Sequence, residues 1–310
     1  SADAKTLWGG QFLGTNLIEI DAATLAITRE IPVGFGSYGV AAATRRGEIY
    51  VTGFGDDKVG VVDLKSGDVA AIRVGGGPQG IALAPDESVV YVTVTDGHNI
   101  VGIDTASKSV LRTVAVGEPD LVDDAGNPLP GSSPAGIALD AANGKLYVAR
   151  AADNAVTIYN ASTFMAESAI PVGWYPTAVA LADGGKTLVV ANGKGIGVGP
   201  LIGYKKDDES GKEKMTGTIS LIPLAGIDLP ALTVQAEKNI RRPNTVFPFT
   251  CDRKFPVPSK PGGETPIKHV VLIVKENKTY DSELGDLDRG DRDPSLVLFG
   301  EDITPNLHAL

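Results

Sequence analysis

An all-β fold of repeated four-stranded antiparallel units is predicted by three observations. A strand-type motif recurs as Ile49-Tyr50-Val51-Thr52, Val90-Tyr91-Val92-Thr93, Leu146-Tyr147-Val148-Ala149 and, weaker, Leu188-Val189-Val190-Ala191. Its second position, Tyr50, Tyr91, Tyr147 and Val189, repeats at intervals of 41, 56 and 42 residues, the long one carrying an insertion at Glu118–Gly131. Thirteen residues after Tyr50, Tyr91 and Tyr147 stand Asp63, Asp104 and Asn160, and the same offset from Trp8 reaches Asp21. A period near 42 in strand-type sequence marks the blade of a β-propeller.

Each unit opens on an inner strand. Gly80-Ile81-Ala82-Leu83, Gly136-Ile137-Ala138-Leu139 and Ala178-Val179-Ala180-Leu181 follow Pro78, Pro134 and Pro176. The motif strand comes second, and the third ends on the Asp or Asn at the constant offset. Pro32-Val33-Gly34, Arg73-Val74-Gly75, Ala115-Val116-Gly117 and Pro171-Val172-Gly173 close the units. Reversals fall at Pro85-Asp86-Glu87, Asn143-Gly144 and Asp183-Gly184-Gly185, at Gly55-Asp56-Asp57, Asp96-Gly97 and Asp153-Asn154, and at Asp63–Gly67 and Asp104–Ser107. Gly supplies positive φ there, and Asp or Asn side chains cap the turn. Such links are too short for a parallel crossover, which needs roughly a dozen residues.

Residues 7 to 239 therefore read as consecutive blades with no competing helix. There are about five units, the first lacking its opening strand and the fifth interrupted at Gly193–Thr216 before Gly217–Ile222 resumes the third strand. Both insertions are expected to project from the blade frame. Trp8, Tyr50, Tyr91 and Tyr147 are expected to pack between blades.

Composition narrows the function classes. With 43% hydrophobic residues, 38 glycines and 20 prolines in 310 residues, the chain suits many short strands around a core that needs no staples. A net charge of −10 argues against nucleic acid or an acidic membrane as partner. Apolar runs such as Val270–Val274 fall far short of the roughly 20 residues of a membrane helix. The single Cys251 excludes an internal disulfide framework and reads as an unpaired thiol in a linker, or as the partner of a cysteine outside these residues. Ser1–Lys5 has no signal-peptide character, which a mature secreted protein would also lack.

Weaker motifs resolve to structure. Gly193–Gly199 lacks the spacing and strand-loop-helix setting of a dinucleotide loop, and Gly185-Lys186-Thr187 lacks the earlier glycine of a phosphate loop. Asp286, Asp288, Asp291 and Asp293 read as a solvated acidic loop, because glycine falls at the wrong place for a calcium hand. His98, His269 and His308 are too scattered for a zinc site or a serine triad.

The repeat resembles the YVTN family of β-propellers, whose strand motif here reads Tyr-Val-Thr-Gly, Tyr-Val-Thr-Val, Tyr-Val-Ala-Arg and Val-Val-Ala-Asn, over roughly residues 7 to 239. Family members usually close seven blades. The resemblance thus implies two further blades in a longer parent, a smaller ring, or a partner that completes it.

Periodicity stops after Lys238. Arg241–Asn244, Phe247-Pro248-Phe249, Pro256-Val257-Pro258 and Lys260–Gly263 read as a proline-stiffened linker over 240–266. Ile267–Val274 then reads as a strand buried on both faces, opening an α/β segment over 267–310. It runs into Lys275-Glu276-Asn277-Lys278-Thr279-Tyr280-Asp281, and carboxylate plus amide oxygen at a strand end suits a divalent metal. Taken alone, a solvated turn explains the pair as well.

The wider segment, His269 through Glu276-Asn277 and Thr279-Tyr280-Asp281 to Leu284–Leu287, Asp293–Leu296, Phe299-Gly300 and Thr304–Leu310, resembles the opening of the alkaline-phosphatase-like phosphoesterase family. Proteins joining a YVTN propeller to such a domain keep the same order. The resemblance implies Glu276 and Asn277 as ligands of a divalent metal, with Thr279, Tyr280 and Asp281 shaping the loop around them. It places the nucleophile beyond Leu310, so no catalytic residue is expected within the chain, which alone should be inactive. Thr304 and Pro305 read as N-cap and first residue of a helix in which the chain ends, the expectation for a piece of a longer protein.

Two functions follow. In one, the propeller is the accessory region of a secreted metal-dependent phosphoesterase acting on a phosphate ester, in the periplasm or at the cell surface. In the other, it is a non-catalytic extracellular binding or structural module. A protein partner or self-association through the propeller fits both, with no nucleic acid and no membrane span.

Overall fold

The middle strands of the second, third and fourth units are buried on both faces, because each of those blades is clasped between two others. In the computed structural model, which describes residues 1, 3–117, 131–195, 216–240, 256, 264–274, 278–290 and 292–310, eighteen strands form five antiparallel sheets. The first holds β1 (Thr6–Gly10), β2 (Asn16–Asp21) and β3 (Ile27–Pro32), and the second β4 (Ser37–Ala43), β5 (Glu48–Gly53), β6 (Lys58–Asp63) and β7 (Val69–Arg73). The third holds β8 (Pro78–Leu83), β9 (Val89–Val94), β10 (Asn99–Asp104) and β11 (Ser109–Ala115). β12 (Pro134–Asp140), β13 (Lys145–Arg150), β14 (Ala155–Asn160) and β15 (Ala166–Pro171) form the fourth, and β16 (Pro176–Ala182), β17 (Thr187–Asn192) and β18 (Thr218–Pro223) the fifth. Strand order follows sequence in each, as the repeat predicts, and the first sheet does lack its opening strand.

The thirteen-residue offset is the length of one hairpin and a turn. Asp63 Oδ1 accepts from the N–H groups of Lys65 and Ser66, both at 2.8 Å, and Asn160 Oδ1 from Ser162 at 3.0 Å and Thr163 at 2.9 Å. Asp21 and Asp104 do the same at their turns. The motif aromatics face the next blade. Tyr50 packs with Val90, Val92 and Val101, Tyr91 with Leu146, Val148 and Phe164, and Tyr147 with Leu188 and Val190. Trp8 joins Leu17 to Ile49 and Val51. Each junction thus has its own apolar core.

Polar contacts set the spacing. Gly39 N–H donates to Thr52 Oγ1 at 2.7 Å, and that hydroxyl donates to the Gln79 carbonyl of the next inner strand at 2.8 Å. Thr93 repeats the bridge, accepting from Gly80 N–H at 2.8 Å and donating to the Ala135 carbonyl. Glycine is required beside it, since a Cβ on Gly39 would lie 2.5 Å from the Gln79 oxygen and one on Gly136 2.6 Å from Ala178 Cα. Ala149 takes the Thr position in the fourth blade and carries no hydroxyl.

Two expectations are corrected. Residues Leu229–Ile240 form a helix, α1, not blade structure. Asp228 Oδ1 accepts from Ala231 N–H at 3.0 Å, and Leu229, Leu232, Thr233 and Ala236 follow helical spacing. Thr233 Oγ1 bonds the N–H of Ala169 at 3.0 Å, so the helix covers the outer edge of β15, and Ala236 is buried against Ala155 and Ala169. Ile267–Val274 forms no strand, and Val270 to Ile273 are 82–84% exposed. A strand buried on both faces needs partners, and no ladder among the described residues includes it.

The chain divides into two units, Ser1–Thr250 and Cys251–Leu310. In the second, α2 (Tyr280–Leu284) is capped by Thr279, a 3-10 turn (Pro294–Leu296) by Asp293, and α3 (Pro305–His308) closes the chain. Thr304 stands at the N-cap position with Pro305 after it, but its hydroxyl makes no capping bond and lies 2.9 Å from His308 Nδ1 instead. Cys251, most of the linker and nearly all of both insertions fall outside the described residues. Of the insertions, only the flanks show that one joins two blades and the other interrupts the fifth.

Gly39→Ala should therefore lower stability by about 2–3 kcal/mol through overpacking. Gly47→Ala, at φ +69° in open space, should cost only about 1 kcal/mol. Thr93→Val should cost about 1–3 kcal/mol by stranding two buried backbone groups. Denaturant midpoints measure all three, and an unchanged midpoint for Gly39→Ala would show that the blades are not held at this distance.

A second expectation concerns His308, whose imidazole the Asp286 carboxylate at 2.8 Å raises above its ordinary pKa, while the same bond lowers Asp286. The histidine contribution is full below its unfolded value and is lost as pH rises through the raised one. The carboxylate contribution is lost as pH falls through the lowered one. The protection of the Leu307 amide, its exchange rate relative to an unfolded amide at the same pH, should be greatest in mildly acidic solution, and protection flat between about pH 4 and 9 would show the pair to be inert.

Candidate functional site

Antiparallel order places the links between second and third strands, and those between blades, at one rim. There lie Gln11–Thr15, Val33–Gly36, Phe54–Asp57, Thr95–His98, Ala151–Asn154 and Val172–Tyr175, with the flanks of both insertions. The opposite rim carries a charged cluster at the second and third blades. Glu48 accepts from Lys108 at 2.8 Å, Tyr50 at 3.0 Å and Arg46 at 3.2 Å. Burial opposes its charge, yet those donors hold the carboxyl below its ordinary range. Burial, then Glu48, pushes the Tyr50 phenol well up.

The link rim carries a cleft of about 560 Å³ over the junction of the fourth and fifth blades. Trp174, Tyr175, Asp153, Asn154, Lys194 and Asn239 supply its aromatic and polar lining. That volume lies within the range of small-molecule sites. The repeat explains its origin. Gly36, Gly77, Ser133 and Tyr175 precede successive inner strands, with φ of +72°, +69°, +43° and +57°. A bulky aromatic in the left-handed region is strained, and surrounding bonds must hold it there. They do. Tyr175 N–H donates to Asn154 Oδ1 at 2.9 Å, and Gly193 N–H to the Tyr175 carbonyl at 2.8 Å. Trp174 N–H donates to Gly195 O at 2.9 Å, and Lys194 N–H to Trp174 O at 3.1 Å.

The side chains stay open. Trp174 is 47% and Tyr175 39% exposed, and Lys194 Nζ stands 4.5 Å from the Tyr175 ring centroid. Asp153 is ion-paired with Arg150 at 2.6 Å, and that guanidinium also reaches Thr157 and Ser132, each at 3.3 Å. Sequence reasoning missed this site. Its signal was present: Pro-Val-Gly-Trp-Tyr-Pro at 171–176 stands where Arg-Val-Gly-Gly-Gly-Pro stands at 73–78.

Glu276 and Asn277 lie outside the described residues. Their expected neighbours hold local structure: Thr279 Oγ1 accepts from Ser282 N–H at 3.3 Å, Tyr280 OH donates to Arg289 O at 2.9 Å, and Asp281 Oδ1 accepts from Asp293 N–H at 3.0 Å. Among the described residues, no group of three or more His, Cys, Asp or Glu side chains is arranged to hold a metal ion.

Residues 46–193 match the model of the SMP-30/gluconolactonase/LRE-like region. A streptogramin B lyase structure aligns at 18% identity and TM-score 0.50, over 73% of this chain and 67% of that one. The U3-55K structure aligns at 12% identity and TM-score 0.51, over 62% and 56%. A chain of Kuenenia stuttgartiensis hydrazine synthase aligns at 17% identity and TM-score 0.36, over 73% and 94%. A search of curated proteins finds no match. The family match bears on the repeats and ends before the second unit. The repeats are blades of a propeller-like fold, and residues 46–193 are similar to the SMP-30/gluconolactonase/LRE-like region.

Proposed function

We infer that the propeller is a recognition module that presents the Trp174–Tyr175 rim to a ligand. In a longer YVTN-type parent of the periplasm or cell surface, it would accompany a metal-dependent phosphoesterase. The strained Tyr175 carries the first part: a left-handed aromatic costs about 1–2 kcal/mol relative to glycine, and strain kept at an open cleft points to use. The second part rests on the segment from His269 to Asp281 and its resemblance to the phosphoesterase opening, with Glu276 and Asn277 as ligands. The metal would neutralise phosphate oxygens.

The matched family's name brings a lactonase reading to the chain. Lactone hydrolysis needs reactive groups converging on one point. The residues that precede the Gly or Ala of each inner strand are Tyr38, Gln79, Ala135 and Thr177, without a carboxylate or imidazole among them. Those positions supply no such group, which supports the recognition reading.

Tyr175→Gly should leave the melting temperature unchanged or raise it, since relief of strain offsets the lost ring contacts, while ligand capture by the rim falls at least tenfold. Equal capture by both forms would remove the cleft from the function. For the parent loaded with divalent metal, phosphatase or phosphodiesterase turnover is expected, with Glu276→Gln or Asn277→Ala removing most of it and leaving propeller melting intact. Absence of turnover, or turnover unaffected by both substitutions, would leave the binding module standing alone.

A further inference from the structure

We propose that the Trp174–Tyr175 cleft binds an acidic sugar, a pyranose ring bearing a carboxylate or phosphate. This rests on the recognition reading above and names its ligand. Three observations converge on it.

The first is the polarity of the uncommitted groups. Asn154 spends its side-chain oxygen on Tyr175 N–H, and Asn239 spends its own on Gln235 Nε2 at 2.7 Å. What remains on both is an amide NH₂. Lys194 adds an ammonium with no ion-pair partner among the described residues, and Trp174 adds an indole N–H. The one carboxylate in the lining, Asp153, is neutralised by Arg150. A site whose free groups are donors selects a ligand rich in acceptors, and the Lys194 ammonium selects negative charge.

The second is the aromatic pair. The Trp174 indole offers an apolar face on which the C–H face of a sugar ring can lie, beside a Tyr175 ring that carries Lys194 Nζ at 4.5 Å, while the sugar hydroxyls reach the amides. The third is rigidity. The backbone bonds at Tyr175, Trp174, Gly193 and Lys194 fix the pair before any ligand arrives, which lowers the ordering cost of binding. The charge lies on one residue and the ring platform on another, so the two requirements are separable by mutation.

The test uses the 310-residue chain carrying Trp8→Phe, which leaves Trp174 as the reporting indole, with calorimetry alongside fluorescence. The probes are trigalacturonate, glucose 6-phosphate and neutral galactotriose. At least one acidic probe should bind saturably and change Trp174 emission. Lys194→Met should weaken that binding at least tenfold and leave galactotriose unchanged, and Lys194→Arg should restore it to within about threefold. Trp174→Ala, read by calorimetry, should weaken every probe. Binding of glucose 6-phosphate but not trigalacturonate, or the reverse, identifies the source of the anion and supports the class. Galactotriose binding as tightly as the acidic probes, with Lys194→Met silent but Trp174→Ala damaging, overturns the acidic sugar and leaves the recognition reading intact. Failure of all three probes to bind overturns the proposal, and unchanged melting of each variant shows that lost binding is not lost fold.

Discussion

A threonine hydroxyl shared between two blades sets the distance on which the propeller depends. Thr52 and Thr93 each accept from a glycine N–H in their own sheet and donate to a carbonyl of the next inner strand. Both backbone groups are thereby satisfied at a place where a side chain on the neighbouring glycine would drive the blades apart. The apolar junctions close around that spacing. Tyr50 and Tyr91 fill the gap to the next blade beside a hydroxyl bridge that holds its width, and Tyr147 fills the fourth junction against Leu188 and Val190, where Ala149 offers no hydroxyl. Packing at this density penalises a change of even one methylene, so the polar bridge and the aromatic contact act together.

The same repetition gives the rim its capacity for specific recognition. Every blade needs a left-handed residue before its inner strand, and most meet the need with glycine or serine. At Tyr175 the frame is stiff enough to hold a large ring in that conformation, with Asn154 and Gly193 bonded to its backbone. Position is supplied by the fold and chemistry by the substitution. The opposite rim shows the alternative outcome, since Glu48 spends its charge on Lys108, Tyr50 and Arg46.

The end of the repeat follows from edge protection. β15 is the outer strand of the fourth blade, and an open outer strand presents unpaired N–H and C=O groups. Thr233 and Ala236 of α1 cover it, which is why strand periodicity gives way to a helix after β18.

Blade count, strand order, the turn caps at Asp21, Asp63, Asp104 and Asn160, and the missing first strand were legible in the sequence by itself. These features are local and periodic, and a repeat shows them several times over. The helix at Leu229–Ile240 was also written there, in Asp228 and the spacing of Leu229, Leu232 and Ala236, but strand periodicity masked it. What only the tertiary structure decided are pairings across long separations. Among them are the bridge from Thr93 to Ala135, the cover of Ala169 by Thr233, and the meeting of Asn154, Tyr175, Lys194 and Asn239 in one cleft. A residue's neighbours across a sheet or a blade junction depend on how the chain returns to it, and no local pattern records that return.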